Sequence, residues 1–187
     1  MTITLHPRVL ELIASRICHD LVSPVGAINN GVELMQELGE DAGAEPVQLI
    51  AHSATQASIR LKCFRLAYGA AGTDKNIGLK DIKEVFTDWL KAGRVQVEFE
   101  QDLSVKFSMP PRGFFKVLLN VMMLAEECSR GDGKIFLSAM DGNKGIKVLV
   151  TGNNISFRDG AEAALKGETA PDDLDARAVH AYMTGRL

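Results

Sequence analysis

A chain of 187 residues, 46% hydrophobic and 24% charged, can bury a core in one domain or in two small ones. Its 21 Lys and Arg against 24 Asp and Glu leave a net charge of −3, which excludes the basic footprint of a nucleic-acid binder. No apolar run approaches the ~18 residues of a membrane helix, and no basic stretch leads into an apolar one at the start, so neither membrane nor export is expected.

In chain order, apolar residues first recur at helical spacing over about 7–38. Leu10, Ile13, Ile17, Leu21, Pro24, Ile28, Val32 and Met35 form one stripe of an amphipathic helix. Gly39 to Gly43 breaks the pattern, and Pro46 suits the first turn of a second helix. There Val47, Ile50, Ala54, Ala57, Leu61, Phe64 and Tyr68 step alternately by three and four, an unbroken heptad seam. Two long helices on a short loop predict an antiparallel hairpin, residues 1–71. Val9, Leu12 and Leu34 lie beside the first seam, and a second hairpin would cover them, so a homodimer with a four-helix bundle is expected. The glycines between 69 and 78 read as a linker.

Residues 72–187 have a different texture. Asp81 to Glu84 reads as a capping box opening a helix with Val85, Phe86, Trp89 and Leu90 on one face, closed by Gly93. Val95, Val97 and Phe99 alternate with polar residues as a strand, and Val105 with Phe107 suggests another. A strongly apolar helix is expected over about 114–128. Strands at 135–140 and 146–150 flank a turn as a hairpin. A helix follows near 160–166, and a last one over about 173–183 has Leu174, Ala178 and Ala181 inward. The predicted class is α+β, with helices against a small, mostly antiparallel sheet.

The segment Ile17-Cys18-His19-Asp20-Leu21-Val22-Ser23-Pro24 carries the chemistry. His19 lies two residues from Ile17 and from Leu21, roughly 200° round the helix from each, so its ring points to solvent. Its neighbours on that face are Ser15, Arg16, Val22, Ser23, Gly26 and Asn30; all but Arg16 are small, which leaves room for a partner to approach. An imidazole with the ordinary value of about 6.5 is mostly neutral near pH 7 and hence nucleophilic. Asp20 can accept the other ring N–H and fix the tautomer. Arg16 can balance phosphate charge. Pro24 cannot donate to the Asp20 carbonyl, so the helix bends within a turn of the histidine. The expected role of His19 is to accept a phosphoryl group. A metal site at Cys18, His19 and Asp20 is disfavoured, because consecutive helical residues diverge. His6, His52 and His180 read as surface or filler. Cys63 and Cys128 read as small hydrophobes, and Arg60, Lys62 and Arg65 as a solvated face. With Cys18 they make no CxxC pair, as in a reduced cytoplasmic protein.

A hairpin bearing His-[Glu/Asp]-Leu-x-x-Pro and followed by a small α+β sandwich resembles a histidine kinase core, and residues 19–24 resemble its phosphoacceptor box. Residues 117–125 resemble the kinase N box, but Leu124 stands where an asparagine would hold Mg²⁺. Thr151-Gly152-Asn153-Asn154-Ile155 replaces the Asp-x-Gly-x-Gly loop, and residues 170–175 replace the phosphate-cradling Gly-x-Gly loop. With three nucleotide elements gone, no ATP binding is expected. Residues 15–31 are similar to the signature of the ChpT-type histidine phosphotransferases, a dimeric family of alphaproteobacterial cell-cycle phosphorelays. That resemblance implies a degenerate ATPase-like sandwich after the hairpin. It also implies transfer from the receiver domain of a hybrid histidine kinase to response regulators, with Mg²⁺ supplied by the receiver and no cofactor of the chain's own. The family fold adds a closing strand after the helix that ends at Leu187, which points to a truncated gene product with an open sheet edge. An active kinase is the weaker reading. A docking protein or response-regulator phosphatase stays open, since Ser23 stands where many bifunctional kinases carry Thr or Asn.

Overall fold

A computed structural model of the chain describes residues 6–107 and 110–187. The first five residues of the predicted 1–71 unit therefore lie outside the described residues. Helix α1 spans Pro7–Leu38 and α2 spans Glu45–Ala67, antiparallel across a short 3-10 turn at Gly39–Ala42. The His6 ring caps the first helix by accepting from the Arg8 N–H, and Pro46 sits in the first turn of the second. The two helices pack closely at Gly31, where an added Cβ would lie 2.6 Å from Ile50 Cγ1. Only a residue without a side chain fits there.

The heptad of α2 divides between two faces. Phe64 is buried and Ile50 and Ala57 are half-buried, whereas Val47 and Leu61 are 51% and 54% exposed, with Ala54 exposed between them. The stripe of α1 needs a correction at its start. Leu10 is exposed, while Val9, Leu12 and Ile13 are buried with Leu124, Ala161, Ala164, Leu174, Ala178 and Val179. The C-terminal residues of the same chain therefore cover Val9 and Leu12, which the pattern alone leaves for a second hairpin.

After a 3-10 turn at Ala70–Thr73, helix α3 spans Leu79–Leu90. Its N-cap lies three residues before the one the sequence suggests. Gly78 is the N-cap and Asp81 the third helical residue, its carboxylate accepting from the Gly78 N–H at 2.8 Å. Strand β1 is Gln96–Phe99. The strand expected at Val105 and Phe107 is instead a helical turn, α4, at Leu103–Lys106. Its reason is burial with period four: Leu103 and Phe107 both point inward, while Val105 is exposed. Lys106 also reaches Glu100 at 2.9 Å.

Helix α5 spans Phe114–Cys128, and strands β2 at Lys134–Ala139 and β3 at Ile146–Thr151 form the expected hairpin. The sheet is mixed rather than mostly antiparallel: the order is β1-β2-β3, with β1 parallel to β2 and β2 antiparallel to β3. Helices α3 and α5 and the end of α2 share one core with it, centred on Phe86, Ile82, Leu119, Met122, Ile135 and Leu137. Helix α6 is Ala161–Lys166. The last helix, α7, is Val179–Arg186, starting later than expected because Asp175 turns the chain first. Its carboxylate accepts from the N–H groups of Arg177 and Ala178. Leu174, Ala178 and Ala181 do face inward.

Candidate functional site

The site begins with the packing of α1. Pro24 is buried within the helix, so the residues four places before it lack one backbone hydrogen bond. The preceding turn carries His19 outward, its side chain 89% exposed, beside Asp20 at 22%. His19 Nδ1 lies 3.2 Å from Asp20 Oδ1. A carboxylate can only accept, so this contact puts the ring proton on Nδ1 and the lone pair on Nε2. An exposed, oriented imidazole nitrogen is a nucleophile that a partner can reach from solvent.

His19 and Asp20 form part of the wall of a cleft of about 750 Å³ between the hairpin and the α+β half. Ser15 and Arg16 belong to the same wall, and across it stand Trp89, Glu126, Glu127, Arg158 and Arg177. The other face residues lie outside the cleft. Val22, Ser23 and Asn30 are exposed along α1, and beyond Gly26 an added Cβ meets nothing within 4 Å. This ridge is open to a large partner.

Arg16 differs from its neighbours. Its guanidinium turns into the chain and pairs with the buried carboxylate of Glu127 on α5. On the other side, His180 Nδ1 of α7 approaches the same oxygen, Oε1, at 2.7 Å. Burial opposes the charge on Arg16, yet the Glu127 carboxylate, with Tyr68 and Asp20 near it, leaves its pKa raised. Burial likewise works to raise the Glu127 carboxyl, but the hydrogen bond and charge of His180 and of Arg16 bring it below the usual carboxylate range. Next to it, burial and the Glu127 charge push Glu126 up.

Sequence reasoning missed this network. His180, read as surface or filler, is fully buried with Nδ1 against the Glu127 carboxylate, and 111 residues separate Arg16 from Glu127. No spacing rule connects residues so far apart. Arg60, read as solvated, is half-buried with its guanidinium 5.5 Å from the centre of the Trp89 ring. Lys62, Arg65 and His52 are exposed. Cys63 and Cys128 are buried, with burial pushing the Cys63 thiol up to about 12, and Cys18 is an exposed free thiol.

Residues 79–187 match the family described as "Histidine phosphotransferase C-terminal domain". Over 176 residues the chain is 32% identical to the "Protein phosphotransferase ChpT" of Brucella abortus (strain 2308), covering 92% of this chain and 81% of that protein. A solved structure of a bacterial phosphotransferase aligns with a TM-score of 0.73 at 30% identity, over 97% of this chain and 86% of that one.

Proposed function

Because the chain belongs to the histidine phosphotransferase family, we propose that His19 accepts a phosphoryl group from a receiver domain of a hybrid histidine kinase and passes it to response regulators. The observation that carries this reading is the exposed His19 ring with Nδ1 held by Asp20. Nε2 attacks the phosphorus of the receiver's aspartyl phosphate, the bond from phosphorus to the aspartyl oxygen breaks, and the receiver carboxylate leaves. Asp20 keeps the Nδ1 proton in place while the ring gains positive character. In the onward step a second receiver's carboxylate attacks the same phosphorus and Nε2 departs. The Mg²⁺ for both steps belongs to the receiver's acidic pocket, and this chain contributes no cofactor.

The absence of ATP chemistry is part of the proposal. Leu124, at the position where the kinase pattern has a metal-holding asparagine, is 6% exposed and packed with Val9, Leu12, Ile13 and Val179. Apolar packing there offers a metal-nucleotide complex no ligand. We further propose a homodimer through the hairpins, since Val47, Ala54 and Leu61 repeat every seven residues and Val32 and Met35 of α1 are also exposed. Ala54→Glu would bury an unpaired charge in that interface and give monomers in sedimentation; a dimer unaffected by the change would place the contact elsewhere. No described helix is long and apolar enough to cross a membrane, in keeping with a cytoplasmic partner of cytoplasmic receivers.

The test is incubation with a phosphorylated receiver. Acid-labile, base-stable phosphate should appear on this chain. A receiver that loses phosphate while the chain gains none would favour the phosphatase reading, with exposed Ser23, one turn after His19, near the reacting group.

A further inference from the structure

The buried ion network beside the site has no role in the transfer step itself. Glu127 Oε1 receives Arg16 from α1 and His180 Nδ1 from α7, so one oxygen ties together the first helix, the last helix and α5. The ring of Tyr68, which caps the C-terminus of α2, meets the His180 ring edge-on, with centroids 6.0 Å apart. Three helices therefore meet at one carboxylate, and the end of the hairpin packs against the His180 ring that binds it.

Stability alone does not account for such a cluster. Desolvating a carboxylate and a guanidinium costs several kcal/mol, and packed apolar residues of similar volume often serve as well or better. The network also leaves polar atoms unused: among the described residues, Arg16 Nε and His180 Nε2 are buried without a hydrogen-bond partner. What charged groups supply and apolar ones do not is direction. A hydrogen-bonded pair fixes a register that methyl groups leave to slide.

Arg16 stands three residues before His19, less than one helical turn, which is a rise of about 4.5 Å. Its pairing is the polar link to the α+β half nearest the phosphoacceptor. We propose that Glu127 and His180 are positioning residues for phosphotransfer: through Arg16 they fix where His19 stands on the wall of the cleft. The proposal rests on the phosphotransfer reading. A receiver that reaches His19 also meets the opposite wall at Trp89, Arg158 and Arg177, so the two walls must be in register for it to dock and react in line. A small donor meets only the ring, and is indifferent to that register.

Two donors separate these cases: a phosphorylated receiver and phosphoramidate, which phosphorylates an exposed imidazole directly. Glu127→Gln should be labelled by phosphoramidate at the wild-type rate but lose at least tenfold in kcat/KM for transfer with the receiver. Glu127→Asp should fall between the two. Should Glu127→Gln not fold, His180 gives the same reading. His180→Asn places an amide N–H where Nδ1 stands and should retain receiver transfer, whereas His180→Phe fills the space without a donor and should lose it. Unchanged receiver transfer in both Glu127→Gln and His180→Phe overturns the proposal. So does a loss of phosphoramidate and receiver labelling in parallel with a fall in folded fraction, which is a structural role only. If wild-type protein takes phosphate from phosphoramidate but from no receiver, the phosphotransfer reading itself fails, a distinct result.

Discussion

Helix α1 buries five of its 32 residues, and α5 buries ten of its 15. The first is a presenting surface, packed along α2 at places such as Gly31 on Ile50, and it carries His19, the proposed phosphoacceptor, on the outside. The second is a scaffold, packed on most sides, and of its three charged residues Glu127 is buried. On the reading proposed above, one fold divides its work: the hairpin offers chemistry to a partner, and the α+β half fixes where that chemistry stands. Chemistry on the surface of a helix is sensitive to single side chains and nearly neutral for stability, whereas a scaffold has the opposite sensitivities.

The largest effect expected from this contrast lies in the scaffold. Phe86→Ala, at a fully buried position, should cost about 3–5 kcal/mol in denaturant unfolding. Near-wild-type stability there would mean that the two regions are not so different. In the presenting helix, Asp20→Asn should slow transfer by about 10²-fold with receiver affinity and stability close to wild type, because only the ring's orientation is lost. A large change in affinity instead would make Asp20 a docking residue. The smallest effects come from two glycines of the same helix. Gly31→Ala should destabilise by about 1–3 kcal/mol, since the new methyl meets Ile50 and the Pro46 carbonyl. Gly26→Ala, with empty space beyond it, should stabilise by up to about 1 kcal/mol through helix propensity. Gly26→Trp should keep the fold and obstruct the receiver.

What could be read from sequence follows the same division. The bounds of α1 and α5, the β2–β3 hairpin and the outward turn of His19 are periodic or local signals, and the chain states them directly. The α4 turn was hidden because a two-residue alternation at Val105 and Phe107 looks like a strand until Leu103 is counted with its four-residue partner. The parallel pairing of β1 with β2 depends on a crossover through α4 and α5 that no local pattern encodes. Covering of Val9 and Leu12 by α7, and the pairing of Arg16 with Glu127, are contacts across more than 100 residues, and His180 meets Glu127 across 53. For these, residue type announced burial or exposure and nothing about the partner. His180 shows this most clearly, since an isolated histidine in a C-terminal segment carries no sign of a contact with a carboxylate on α5.

The most direct measurement is the location of the phosphate. Wild-type protein and His19→Gln are incubated with the same phosphorylated receiver, without ATP, and the modified residue is mapped by mass spectrometry under basic conditions. The account predicts phosphate on His19 in the wild type and none on the variant, whose stability should differ by under about 0.5 kcal/mol because the position is exposed. Phosphate on His19→Gln, or wild-type labelling found at any residue other than His19, would contradict it.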